Sequence, residues 1–219
     1  MYADLHLHTL YSDGTYTPEE LVNYERARGL GVMALTDHDT VDGCKRMASA
    51  CGKQGIEFIS GCEFTVELDG FELHLLGYFI DLNYERLTEQ LKKYQSVRHD
   101  RIYQMVSKLN ELGIEIDGNE VLSIANCNSP GRPHIARVLV EKGNCKSLDE
   151  AFQKFLKKGR PAWVPKDKMT AQEAINLIHE AGGLAVIAHP GLYHRDGVIG
   201  PLVDSGLDGI ECFYTRHST

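Results

Sequence analysis

Residues 4–9 read Asp-Leu-His-Leu-His-Thr, and Ser12-Asp13-Gly14 follows closely. Side chains on a strand alternate with period two, so His6 and His8 share one face while Leu5 and Leu7 take the other and read as core. Asp13, in the turn beyond, can fold back over the two rings. Two imidazoles and a carboxylate converging at the end of a strand make a divalent-metal site. Four more residues stand at comparable places. His38 follows the apolar run Val32–Thr36, Glu63 follows Ile56–Ser60, His74 alternates along Phe71–Leu76, and His189 follows Leu184–Ala188. Each has an ordinary explanation: His38 as a cap, Glu63 as a surface acid, His74 on a solvated face, His189 as a hydrogen-bonded core histidine. Together with His6, His8 and Asp13 they form a set too large for one tetrahedral ion, which implies at least two metals.

These residues need a scaffold that brings strand ends together. Thr17-Pro18-Glu19-Glu20 opens a helix ended by Gly29, and a second helix is expected over residues 42–53. The strand–helix–strand rhythm predicts a parallel α/β core, where chemistry collects at the C-terminal strand ends. From about Asn83 the rhythm breaks into helices over 84–112, 118–125, 133–142 and 147–157, a block that reads as an inserted cap over 83–157. The α/β pattern returns with a capping box at Thr170–Glu173, a helix to Glu180, a helix near 199–205 and a strand over 209–213. The core is thus expected from residues 1–82 and 158–219.

At 219 residues, 42% hydrophobic and 25% charged, the composition is that of a soluble globular protein. A formal charge of -8 argues against a general polyanion binder, so stable binding of double-stranded DNA is not expected. No apolar run approaches membrane-spanning length, and six cysteines without a CxxC pair fit reduced thiols in a cytoplasm. Arg132 and His134 read either as a phosphate clamp or as a helix-start ion pair and cap. Lys166 reads as charge at the site's mouth or as a solvated lysine, and His217 as a further contact or a frayed end.

The pattern DLHLHTxxSDG, LTDHD, GxE, HLLG and AHP resembles the PHP (polymerase and histidinol phosphatase) superfamily of metal-dependent phosphoesterases. Within it, the block bearing Ser129-Pro130-Gly131-Arg132-Pro133-His134 is similar to the branch acting on nucleoside 3',5'-bisphosphates and the 5' ends of short RNAs. The resemblance implies a distorted seven-stranded (β/α) barrel and a cluster of two to three manganese, iron or zinc ions. It implies that His6, His8, Asp13, His38, Glu63, His74 and His189 are the ligands. Hydrolysis of a nucleotide phosphate monoester by hydroxide held on the ions is the implied activity, with a small phosphorylated nucleotide or short RNA as the partner. The family pattern closes with a Ser-Asp-x-His strand that this sequence does not contain. A C-terminally shortened chain is therefore expected, with the barrel open at that edge. A 5'-3' exonuclease, a histidinol phosphatase and a non-catalytic metal-binding module are the alternatives.

Overall fold

The computed structural model describes residues 2–214. Its strands are β1 (Tyr2–Leu7), β2 (Leu30–Leu35), β3 (Glu57–Leu68), β4 (Phe71–Tyr78), β5 (Met169–Thr170), β6 (Leu184–Ile187) and β7 (Gly209–Ile210). Its helices are α1 (Pro18–Arg26), α2 (Cys44–Gln54), α3 (Glu85–Glu111), α4 (Gly118–Ala125), α5 (Arg132–Glu141), α6 (Leu148–Ala151), α7 (Ala171–Glu180) and α8 (Ile199–Asp204). α6 continues as a π turn through Phe152–Leu156. The capping boxes at Thr17 and Thr170 both form, which fixes where α1 and α7 begin.

One mixed sheet runs β1-β2-β3-β4-β6-β7, with β5 beside β3. The expected all-parallel core is corrected at β4, which is antiparallel to both β3 and β6. The reason is local. Asp69 and Gly70 both take positive φ (49° and 74°), which is the two-residue turn of a tight hairpin, so no helix separates β3 from β4. β3 is consequently longer than the sequence suggested. Its first residues pair with β2, and from Gly61 onward it pairs with β4. A Cβ at Gly61 would stand 2.8 Å from the Leu35 carbonyl oxygen and 2.9 Å from that of Gly77, so the changeover requires glycine.

The sheet curls so that its first and last strands approach. The Tyr78 hydroxyl donates to the Leu5 carbonyl at 2.9 Å, and His6 on β1 reaches Glu211 just after β7 at the same distance. Leu5, expected in the core, is 40% exposed, because its side of β1 faces an open cleft shared with Ile210 and Phe213. The outer face of the sheet is sealed by α7 through Phe64, Leu73, Leu75, Ile175 and Ile178, and by α2 through Met33, Leu35 and Met47. Helices α3–α6 bury a separate core around Ile102, Met105, Leu109, Ile135 and Leu139, which also takes in Ala162 and Val164.

A buried ion cluster ties that helical block to the sheet. Arg98 of α3 donates to Asp39 from Nε at 2.8 Å and from Nη2 at 2.6 Å, and Lys166 lies 3.3 Å from the same oxygen. Asp39 also accepts from the Thr65 backbone N–H and hydroxyl on β3. Burial disfavours the Asp39 charge, but Arg98 and Lys166 outweigh it and hold the carboxyl well below its usual range. A depressed carboxyl stabilises the fold above its unfolded pKa near about 4, and that stabilisation disappears only as pH falls through the lower folded value. Asp39→Asn would leave two cations buried without a counter-charge, so it should lose about 3–5 kcal/mol in urea unfolding at pH 7, with the deficit narrowing only in strong acid. Equal stability of the two proteins at pH 7 would contradict this role.

Candidate metal centre

The loop between β1 and α1 is built on Asp37, which lies just beyond β2. Asp37 accepts from the Thr9 N–H at 2.7 Å, the Thr9 hydroxyl at 2.6 Å and the Ser12 hydroxyl at 2.6 Å. This holds the turn that carries Asp13. Gly14 closes it, where a Cβ would sit 2.5 Å from the His8 carbonyl oxygen. β1 then delivers His6 and His8 on one face, as alternation requires. The segment after β2 delivers His38, whose backbone bridges to Glu63, and the Ser129 hydroxyl donates to its carbonyl. β4 places His74 opposite Thr65 of β3. His189 ends β6 in the left-handed region at φ 32°, an uncommon conformation for a residue with a Cβ.

Five imidazoles converge on one carboxylate. Glu63 is 1% exposed. Its Oε2 lies 3.2 Å from His6 Nε2, 3.1 Å from His8 Nε2 and 3.2 Å from His38 Nδ1. Its Oε1 lies 2.7 Å from His74 Nδ1 and 3.0 Å from His189 Nε2. Asp13 stands 3.6 Å from His8 and 3.8 Å from His38. All seven residues anticipated from strand-end positions therefore meet in one cluster. Two sets of three present ligand atoms close enough to share an ion: His6, Glu63 and His189, and His8, His38 and Glu63.

The electrostatics follow from burial and crowding. Desolvation opposes ionisation of Glu63, yet the surrounding histidines outweigh it and keep the carboxyl far below its normal range. Desolvation also opposes a charge on His6, but its hydrogen bonds to the Glu211 and Glu63 carboxylates prevail and raise it to about 10. His38 loses more to burial and to the neighbouring His8 and His74 than it gains from the Glu63 and Asp13 charges, and is pushed down to about 3. Its Nδ1 is buried and makes no hydrogen bond, although Glu63 Oε2 is near, because the direction is wrong for one. His189 Nδ1 is likewise buried and unbonded. An ionised carboxylate ringed by five imidazole nitrogens is a donor set that fits a divalent cation, whose binding would displace the extra proton that His6 carries.

Beside the cluster lies a cavity of about 110 Å³, whose lining includes Asp13, His38, Glu72 and His74 together with Arg98, Arg101, Arg132 and Lys166. Arg132 reaches Glu72 at 3.9 Å. Lys166 is not the solvated lysine the sequence allowed, since it is buried against Asp39. His134 is absent from the lining. Its Nδ1 accepts the Gly131 N–H at 3.0 Å and so caps the start of α5. His217 lies outside the described residues.

The sequence reading did not find Arg98, Arg101 or Glu211. The arginines sit among ordinary polar positions of a long helix, where nothing local marks an inward-facing charge. Glu211 falls inside the strand expected over 209–213, whereas β7 ends at Ile210 and leaves it just past a strand end, as His38 and His189 are.

Comparison with known proteins agrees with this geometry. Residues 4–162 match the PHP domain. The chain is 37% identical over 225 aligned positions to a 3',5'-nucleoside bisphosphate phosphatase of Chromobacterium violaceum, covering 98% of this chain and 78% of the relative. It is 36% identical over 196 positions to a 5'-3' exoribonuclease of Haemophilus influenzae, covering 89% and 70%. Its fold superposes with TM-score 0.92 and 33% identity on a Chromobacterium violaceum structure described as an amidohydrolase with bound sulfate and no metal, covering 99% of this chain and 78% of that one. A Bifidobacterium adolescentis structure described as a metal-dependent phosphoesterase superposes with TM-score 0.90 and 30% identity over 95% of this chain and 76% of that one. With residues 4–162 matched and the histidine cluster assembled on the same curled sheet, the chain belongs to the PHP domain family.

Proposed function

We propose that this chain is a metal-dependent phosphoesterase that hydrolyses a phosphate monoester of a small nucleotide, a 3',5'-bisphosphate first among them. The observation that carries this reading is the juxtaposition of an imidazole–carboxylate cluster with a buried basic cavity. The relatives named for bisphosphate hydrolysis and exoribonuclease activity support it. On this reading His6, His8, Asp13, His38, Glu63, His74 and His189 hold two or three manganese, iron or zinc ions, and residues 83–157 form a cap over a core of 1–82 and 158–219. When bound, such ions lower the pKa of water and neutralise charge on a phosphoryl group.

The chain's own contribution is to bind and orient. Glu63 fixes the histidine rings, which keeps the geometry from relaxing. Arg98 is taken up by Asp39, whereas Arg101 donates only to the Val164 carbonyl and has no ion pair among the described residues. A buried guanidinium without a counter-ion is costly, and it favours an incoming anion. Arg101, Arg132 and Lys166 thus hold the phosphate that is not cut, and position the other at the histidines. The cavity is smaller than a typical pocket for a whole ligand of several hundred Å³, so it takes one charged group while the nucleoside stays outside it. No helix among the described residues is long and apolar enough to cross a membrane, and six cysteines without a CxxC pair fit reduced thiols, which is the basis for reading a cytoplasmic enzyme.

Purified chain supplied with Mn²⁺ should release phosphate from adenosine 3',5'-bisphosphate, and His8→Asn should lower kcat/KM about 100-fold or more. A ladder of shortened products from 5'-phosphorylated RNA, without phosphate release, would favour the exoribonuclease reading. Inactivity on both substrates would overturn the enzyme reading altogether.

Burial and the neighbouring Arg98 charge push the Lys166 ammonium down to about 7, with Asp39 only partly offsetting them. The lysine is therefore charged in the folded cavity below about pH 7 and neutral above it, while the unfolded chain keeps the proton to near the ordinary lysine value of 10.5. Folding stability from this group rises across that window, and anion affinity falls. Sulfate keeps its charge throughout, so its affinity for the metal-free chain should drop as pH rises from about 6 to about 8, and Lys166→Arg should flatten the drop. The same slope in both proteins would remove Lys166 from the site.

A further inference from the structure

Glu211 belongs to neither ligand set, yet it touches the site at two points. Its backbone N–H extends the ladder beyond β7 by donating to the Ile187 carbonyl at 3.0 Å. Its side chain turns inward across the gap to β1. There Oε1 lies 2.9 Å from His6 Nδ1, and Oε2 accepts the backbone N–H of His189. An ionised carboxylate only accepts, so His6 Nδ1 carries the proton in this contact. The opposite ring nitrogen, Nε2, is the one that faces Glu63. The imidazole ring thus stands between the two carboxylates, with Glu211 behind it and Glu63 in front.

The second contact is equally placed. His189 departs from strand geometry at φ 32°, and the amide that anchors this bend is the one bonded to Glu211. The bend aims His189 Nε2 at Glu63 Oε1. The two histidines that Glu211 holds are the two that join Glu63 in one of the candidate triads. No hydrogen bond or ion pair links it to His8 or His38, which form the other.

We propose that Glu211 is a positioning residue that holds the His6 ring and the His189 bend, and thereby sets how tightly the cluster around Glu63 takes a cation. The assignment rests on the metal reading of the cluster for its consequence, though not for the contact itself. A carboxylate behind a ligating histidine fixes ring orientation and raises basicity, and removing one typically weakens a metal about 10–100-fold. Glu211→Gln has a single acceptor oxygen, so it serves one of its two partners and not both. Glu211→Ala serves neither.

Two measurements on the whole chain decide the matter. In titration of metal-free protein with Mn²⁺, both variants should weaken binding about 10–100-fold. Unchanged binding in both variants overturns the proposal. In ¹⁵N–¹H spectra of the metal-free chain, the His6 Nδ1–H resonance should be present in the wild type and lost in Glu211→Ala. Its persistence in that variant overturns the proposal even if no cation binds. Absence of Mn²⁺ binding in the wild type, with the Nδ1–H signal still dependent on Glu211, removes the metal reading and leaves the positioning contact standing.

Discussion

A single buried carboxylate sets the terms for this site. Glu63 is sealed from water and ionised, a state that costs several kcal/mol unless countered nearby. Five imidazole nitrogens from β1, β4 and the segments after β2 and β6 provide the counterweight. No two neighbouring strands could supply them. The sheet must curl until its first and last strands face each other, which is why His6 and Glu211, 205 residues apart in sequence, share a hydrogen bond. Fold and site are therefore one constraint seen from two sides.

The helical block is coupled to that constraint through Asp39, the neighbour of His38. Its carboxylate gathers Arg98 from α3 and Lys166 from the segment before β5, while binding β3 through Thr65. The block is thereby docked where its remaining cations, Arg101 and Arg132, line the same cavity as His38 and His74. A chain with formal charge -8 thus carries a local surplus of positive charge at one concave place. Overall charge describes solubility and long-range repulsion. It says little about a buried pocket.

The parts of this arrangement that were legible in the sequence share a physical reason. Strand alternation fixes where His6, His8 and His74 point, and apolar runs ending in His or Glu mark strand ends, so the cluster could be assembled before its geometry was seen. The second core was legible through helical spacing over 84–112 and its neighbours. The misses also have causes. Antiparallel β4 depended on the Asp69-Gly70 turn, a short signal overshadowed by the surrounding strand–helix rhythm. Leu5 looked like core because alternation cannot show that β1 borders a cleft. For His134 the sequence left a phosphate clamp and a helix cap open, and the bond from the Gly131 N–H to its Nδ1 is the cap, since the first turn of a helix needs its N–H groups satisfied. Arg101 and Arg98 are set by which face of α3 meets the sheet, a tertiary fact with no local trace.

The most direct test of the account is anomalous X-ray diffraction from crystals of the chain grown with Mn²⁺. It predicts at least two separate peaks at the Glu63 carboxylate, each within reach of the histidines that surround its oxygens. Absence of any peak at Glu63, with the five histidines still gathered around its oxygens, would show that the carboxylate is a structural anchor and not the centre of a metal site.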